Sequence, residues 1–196
     1  RDELLIHLRF FDVALARLGL EAGLPGNARE TAFLMTEGAI CHYDPVGVLK
    51  AYQTEPHLIA RSLLHVLLHC IFHHPFQYEK LDREDWDLAA DVAVENVIQD
   101  MQLNAASLEE DQDRARKLRI LKEDVGALTA EKLYRYFRRG TVTAEERQEL
   151  TKLFRRDSHE LWKPAEELFV TQEQWKKISE RVKADLKSFT KGKAGA

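Results

Sequence analysis

The sequence predicts a mainly α fold of the α+β class with one small β-hairpin. Apolar residues recur at helical spacing in most segments of the chain. Residues 31–43 instead place β-branched and aromatic side chains on both sides of a Thr-Glu-Gly turn. The 196 residues, 44% hydrophobic and 32% charged, suffice for one main core. We therefore expect one domain over residues 1–165 and a helical C-terminal extension over residues 166–196.

Four helices and the hairpin are predicted for the amino-terminal half. The hairpin pairs Thr31–Met35 with Ala39–Tyr43, and we expect no other strand. The third helix has Thr54 as its candidate cap and Pro56 in its first turn. Asp82 is the candidate cap of the fourth. The helices are expected at residues 3–21, 48–52, 54–74 and 83–103.

The carboxyl-terminal third is predicted to be helical after a linker. Residues 104–124 are dense in mixed charge and poor in large apolar groups, which predicts a loop or a solvated linker. Thr129 leads into one helix. Two further helices start with a threonine followed three residues later by Glu or Gln, the pattern of a capping box. These pairs are Thr143 with Glu146 and Thr171 with Gln174.

Composition excludes several classes of function. The formal net charge is −4, and 29 basic and 33 acidic residues are well mixed, which disfavours nucleic-acid binding. The longest apolar run, Leu58–Phe72, contains an arginine and two histidines and is shorter than the ~20 residues of a membrane span. Cys41 and Cys70 are too few for a disulfide framework, and no signal peptide is present. We expect a cytoplasmic protein.

The stretch LLHVLLHCIFHH, residues 63–74, carries the main chemical signal. His65 and His69 lie four residues apart, so a helix brings them to one face, where both can bind one metal ion. His73 continues this face, and His74 lies at or beyond the helix end. A single histidine here is more often a hydrogen-bonded core residue, but the pair favours a metal, because one cation satisfies both imidazoles.

The next helix supplies negative charge at a matching spacing. Asp87, Asp91 and Glu95 form one stripe, and like charges at this spacing repel each other. Water compensates them if the stripe is exposed, and a cation shared with the histidines does so if it is not. Small neighbours make Asp91 the expected carboxylate ligand. Asp87 or Glu95 is then an orienting residue or a replacement catalytic base.

His159, in the sequence DSHELW, is a further candidate. Its position alone indicates a surface histidine, whereas an ordered turn built on Asp157-Ser158 would let it act as a ligand or transition-state donor. His7, His42 and His57 show no comparable pattern.

Together LLHVLLHCIFHHP, WDLAADVAVENVI and DSHELW, with the TEG hairpin, resemble a zincin-like metallopeptidase domain of bacterial proteins over residues 30–165. The resemblance implies a zincin-like fold and a Zn²⁺ site on His65 and His69, with Asp91 and His159 as the candidates for the third ligand. It also implies a following von Willebrand factor A-like domain and a MoxR-type AAA+ ATPase as partner. The ends at Arg1 and KGKAGA fit a fragment.

The sequence departs from the family pattern at Val66, where many members have glutamate. In H-E-x-x-H peptidases that glutamate is the general base, a role usually worth about 10²–10⁴-fold in rate. Three hypotheses follow: a zinc-dependent peptidase with a displaced base, a metal-binding but inactive scaffold, and a purely structural helical domain.

Overall fold

The computed structural model describes residues 1–25, 32–77, 81–163 and 169–194. It is mainly helical, as predicted, with 3₁₀ turns at Arg9–Phe11, His74–Phe76 and Asn104–Ala106. The α-helices are α1 (Asp2–His7), α2 (Asp12–Arg17), α3 (Pro45–Thr54), α4 (His57–Ile71), α5 (Arg83–Met101), α6 (Asp111–Val125), α7 (Ala130–Arg138), α8 (Ala144–Phe154) and α9 (Phe169–Ala194). The strands are β1 (Gly19–Ala22), β2 (Leu34–Thr36) and β3 (Ile40–Tyr43).

The sheet contains the predicted hairpin and one further strand. β2 and β3 pair antiparallel, which confirms the hairpin, although Thr31 lies outside the described residues. β1 pairs parallel to β3, giving the order β1-β3-β2. The expectation of no other strand is therefore wrong. All four residues of β1 are exposed, so β1 lacks the alternation of buried and exposed positions that reveals a strand in sequence.

The first predicted helix, over residues 3–21, is broken into shorter elements. α1 ends before Leu8, a 3₁₀ turn follows, and α2 ends at Arg17. Leu4, Leu8 and Phe11 all lie in the core. Their i, i+4, i+7 spacing would also place them on one face of an unbroken helix, so their burial does not explain the break.

α4 and α5 form the centre of the molecule. Every residue of α4 from Ala60 to Ile71 is buried, as expected for a helix that is apolar nearly all round. α5 lies between two apolar clusters: Val94 and Ile98 pack with α4, whereas Trp86 and Leu88 pack with α6, α7 and α8. Its acidic stripe is therefore enclosed. No helix in the described part of the chain is long and apolar enough to cross a membrane.

The helix boundaries around α4 differ from the prediction. Asp44 caps α3 through Val46 N and Gly47 N, and α3 continues to Thr54, whose hydroxyl donates to Lys50 O. Thr54 therefore does not cap α4, which begins at His57 without a side-chain cap. α4 also ends at Ile71 rather than at His74, because the backbone turns into the left-handed region just beyond it.

Residues 104–124 were predicted to be a loop, and this is wrong. They contain a 3₁₀ turn and most of α6. The helix buries Leu118 and Leu121 together with Arg114, which is 1% exposed. An arginine thus occupies a core position, because Asp111 and Glu110 neutralise its guanidinium. A pattern based on apolar residues alone cannot detect such a helix.

The capping predictions are confirmed at three of the described helix starts and fail at two, α4 and α9. Asp82 caps α5, Thr129 caps α7, and Thr143 forms a capping box with Glu146 at α8. α9 is already helical at Phe169, so Thr171 lies inside it and is not its cap.

α9 shares a core with α4. Its residues Trp175, Ile178 and Val182 belong to the same apolar cluster as Leu67. The indole Nε1 of Trp175 donates to Gly38 O in the β2–β3 turn at 2.5 Å. The division of the chain at residue 165 stays a prediction.

Gly38→Ala is expected to lower the free energy of unfolding by about 2–4 kcal/mol. Gly38 has φ +97°, and an added Cβ would lie 2.7 Å from Phe76 Cζ, so left-handed strain and overpacking add together. Gly140→Ala is the control, because Gly140 has φ +71° with no atom within 4 Å of an added Cβ, and about 1–2 kcal/mol is expected. Urea denaturation measures both, and equal losses would show that the Gly38 turn is not tightly packed.

Candidate metal centre

Three segments of the chain converge at one buried place. α4 contributes His65 and His69, and α5 contributes Asp91 one turn after Asp87. The third segment, residues 157–159, is held against the edge of β2, where Ser158 N donates to Leu34 O at 2.9 Å. The sheet thus fixes the segment that follows α8 beside the two central helices.

Four donor side chains can hold a metal ion: His65, His69, Asp91 and Asp157. The Nε2 atoms of His65 and His69 are 2.8 Å apart. Asp91 Oδ1 lies 3.2 Å from His65 Nε2 and 3.4 Å from His69 Nε2. Asp157 Oδ1 is farther from the same two atoms, at 3.5 and 3.9 Å. All four side chains are fully buried.

His65 is held from behind by a carboxylate. Its Nδ1 lies 2.8 Å from Glu95 Oε1, which leaves Nε2 directed at the donor cluster. Glu95 also accepts from Arg61, whose Nη2 lies 2.7 Å from Oε2. Arg61 in turn donates to Ala106 O, so a buried network fixes the ring of His65.

His69 is held from behind by another imidazole. Its Nδ1 lies 2.9 Å from His74 Nδ1, and both rings are buried. His73, in contrast, leaves the helical face because it adopts the left-handed conformation, and its Nε2 lies 2.9 Å from Ser179 Oγ. The expectation that His73 continues the face of His65 and His69 is therefore wrong.

His159 is buried, not on the surface. Its Nε2 is 3.2 Å from both Asp91 Oδ1 and Asp157 Oδ1, and its Nδ1 is 3.2 Å from Asp87 Oδ1. The ring stacks on Trp162 with centroids 3.6 Å apart and planes 14° apart. His159 thus adjoins the donor cluster, with its ring centroid 4.9 Å from that of His69.

The carboxylates set the charges of the imidazoles when no metal is bound. Burial lowers the pKa of His65, but contact with Asp91 and Glu95 outweighs it and raises this pKa to about 9. Burial and the charge on His65 lower the pKa of His69 to about 4. Burial also opposes the charge on His159, yet Asp91 and Asp157 hold its pKa well above the usual value. His69 is then neutral between two cations.

The same contacts keep the acids ionised. Burial tends to raise the pKa of Asp91, but His159, His65 and His69 hold it well below the usual value. Asp157 is also lowered against burial, chiefly by His159. A metal ion binding to His65 Nε2 must displace its proton, so metal binding and proton release are coupled.

The donor set fits a zinc ion. Tetrahedral zinc with bonds of ~2.0–2.1 Å places its donors about 3.3 Å apart. The separations of 2.8 to 3.9 Å among the imidazole and carboxylate atoms bracket that value. Asp157 Oδ2 is buried and has no hydrogen-bond partner among the described residues. A buried carboxylate oxygen normally has a partner, and a metal ion would provide one here.

The structure brings together the predicted ligands, which are His65, His69, Asp91 and His159. Asp157 was missed as a donor because it was interpreted as part of a turn; its place two residues before His159 was the available signal. Of the predicted catalytic residues, Glu95 lies behind His65 and Asp87 beside His159. Their role as bases stays a prediction. His7 and His57 are exposed and His42 is half-buried, away from this centre.

Val66 is fully buried in the apolar core shared by α4 and α9, and its side chain offers no carboxylate to the donors.

Comparison with known proteins assigns the chain to a family. Residues 7–194 match the family model described as "Putative metallopeptidase domain". The chain belongs to this family. No curated protein and no solved structure matches the chain. The family and the buried His/Asp cluster agree with the metallopeptidase part of the predicted resemblance.

Glu95→Gln is expected to cost about 3–5 kcal/mol of stability in metal-free protein. The substitution removes the buried carboxylate that Arg61 shares with the imidazolium of His65, since all three side chains are at most 2% exposed. Among the described carboxylates, Arg61 then keeps only its contact with Asp111 at 3.3 Å. Glu149→Gln is the matched control, because its partner Lys117 is partly exposed and such pairs contribute about 0–1 kcal/mol. Chemical denaturation with excess chelator measures both. Equal small losses would show that the Arg61–Glu95 pair does not stabilise this site.

Proposed function

We propose that the domain binds one zinc ion through His65, His69 and Asp91 and hydrolyses peptide bonds with it. The observation that carries this proposal is the convergence of two imidazole Nε2 atoms and Asp91 Oδ1 within 3.4 Å of one another. Two histidines and one carboxylate are the ligands of a class of catalytic zinc peptidases, whereas structural zinc sites are rich in cysteine. Cys70 follows His69 yet is outside the donor set.

Asp157 is the side chain suited to replace the missing glutamate. A zinc ion bound here would act as a Lewis acid and would lower the pKa of the water molecule bound to it. Asp157 is the more distant carboxylate of the donor set, and its Oδ2 has no hydrogen-bond partner among the described residues. It therefore takes the proton from the attacking water and returns it to the leaving amine.

His159 is the side chain suited to stabilise negative charge. The contact of its Nδ1 with Asp87 and the stack on Trp162 fix the ring, and Asp91 with Asp157 keeps it charged. With Asp91 bound to the ion, the Nε2–H of His159, which otherwise faces Asp91 and Asp157, is the donor that we assign to the oxyanion on the peptide carbonyl. Asp87 and Glu95 then orient His159 and His65, respectively.

A metal-binding scaffold without catalytic activity is the second candidate. Two observations favour it: all four donors are fully buried, and Val66 stands in place of the usual base. A closed four-ligand site is typical of structural zinc. In this alternative Asp157 is the fourth ligand, and the domain works with a von Willebrand factor A-like domain.

The partners and cellular location follow from the family resemblance and composition. We propose a bacterial cytoplasmic domain that cooperates with a MoxR-type AAA+ ATPase, acting on a peptide or protein substrate. The free thiols Cys41 and Cys70, both buried, are compatible with a reducing compartment.

Wild-type protein is expected to bind one zinc ion per chain, and His65→Ala and Asp91→Asn to lose it. Each variant removes one donor of the proposed three, so affinity falls by at least about 100-fold. His57→Ala, an exposed position on the same helix, is the control. Elemental analysis after dialysis against zinc measures the loading. Wild-type protein without stoichiometric zinc, or ligand variants that bind normally, would contradict the proposed site.

Asp157→Asn separates the two candidate functions. The hydrolase proposal expects zinc content to persist while cleavage of a fluorogenic peptide library falls about 10²–10⁴-fold, because a base is lost. Asp113→Asn, at a 61%-exposed acid, is the control. Loss of zinc in Asp157→Asn together with inert wild-type protein would overturn the hydrolase proposal and support the scaffold.

A further inference from the structure

His73 and His74 follow the end of α4, and their conformation and contacts are not needed to end a helix. His73 has φ +65°, one of two non-glycine residues with positive φ in the described part of the chain. Such a conformation is uncommon for a residue with a Cβ and is maintained only where surrounding contacts hold it. It turns the chain back toward α4, so that the ring of His74 contacts His69.

Ser179 of α9 holds this turn. Its single hydroxyl hydrogen has two carbonyl acceptors to choose from, Ile71 O at 2.7 Å and Trp175 O at 2.8 Å. Ser179 Oγ can therefore only accept from His73 Nε2, at 2.9 Å. α9 thus fixes the left-handed residue from a position 106 residues later in the chain.

The turn places His74 directly behind His69. The Nδ1 atoms of the two rings are 2.9 Å apart, and His74 O accepts from the indole Nε1 of Trp86 at 3.3 Å. Pro75 follows in the 3₁₀ turn, and both residues are buried. Contacts from two helices therefore fix the position of His74.

The role of His74 follows from which nitrogen of His69 carries the proton. Since His69 Nε2 faces the donor cluster, its proton resides on Nδ1, and His74 Nδ1 must accept that proton's hydrogen bond. His74 then carries its own proton on Nε2. A cavity of about 580 Å³ between α4, α5, α7 and α9 includes His74 in its wall, which leaves space to hydrate that N–H.

We propose that His74 is a positioning residue of the metal centre, accepting the Nδ1–H of His69 and thereby directing the Nε2 lone pair of His69 at the ion. The inference rests on the metal-binding part of the proposed function, not on hydrolysis. The two histidine ligands then have different hydrogen-bond partners at Nδ1: the anionic carboxylate of Glu95 for His65, and the neutral imidazole of His74 for His69. Groups of this kind typically change metal affinity about 10–100-fold.

Two nearly isosteric variants test this role. His74→Asn retains an acceptor oxygen close to the position of Nδ1, whereas His74→Leu removes the acceptor at similar volume. Zinc affinity is measured by competition with a chromophoric chelator, and the absorption bands of bound Co²⁺ report ligand geometry. We expect His74→Leu to bind zinc about 10–100-fold more weakly with altered Co²⁺ bands, and His74→Asn to remain within a few-fold of wild type.

The pair also separates positioning from packing. Equal affinity of His74→Leu and wild type, or equal weakening in both variants, would overturn the positioning role. Comparing the two variants with each other corrects for any stability that both lose, since both remove the same ring. If wild-type protein binds no zinc, the proposed function itself is overturned. If wild-type protein binds zinc and His74→Leu binds it equally well, only the role of His74 is overturned.

Discussion

The pairing of buried carboxylates on α5 with buried imidazoles on α4 is the constraint on which the rest of the structure depends. Asp91 and Glu95 are fully buried, and ionised carboxylates are unstable in an apolar interior unless cations or donors compensate them. His65, His159 and Arg61 provide that compensation. The helices, the β2 edge and α9 can be understood as the framework that holds these groups in contact.

The sequence predicted the parts of this arrangement that local spacing determines. His65 and His69 four residues apart, and Asp91 on the helix that packs against them, follow from helical periodicity and from the need to compensate buried charge. The caps at Asp82, Thr129 and Thr143 follow from local hydrogen bonding. Such features need no knowledge of distant contacts, and the structure has them where the pattern predicts them.

Long-range contacts determine the features that sequence analysis missed. β1 exists because β3 pairs with it, although its side chains are all exposed. α6 buries Arg114 at a core position, which is possible only beside its acidic partners. The burial of His159 depends on the bridge between Ser158 and β2, more than 120 positions earlier in the chain by residue number. None of these contacts leaves a periodic signal.

The central claim is that one zinc ion lies between α4 and α5. Anomalous scattering at the zinc edge, from crystals of zinc-loaded protein, tests it most directly. The account predicts a single peak at ~2.0–2.2 Å from His65 Nε2, His69 Nε2 and one oxygen of Asp91. A zinc-loaded crystal with no peak between these residues, or with its peak at other side chains, would contradict the account.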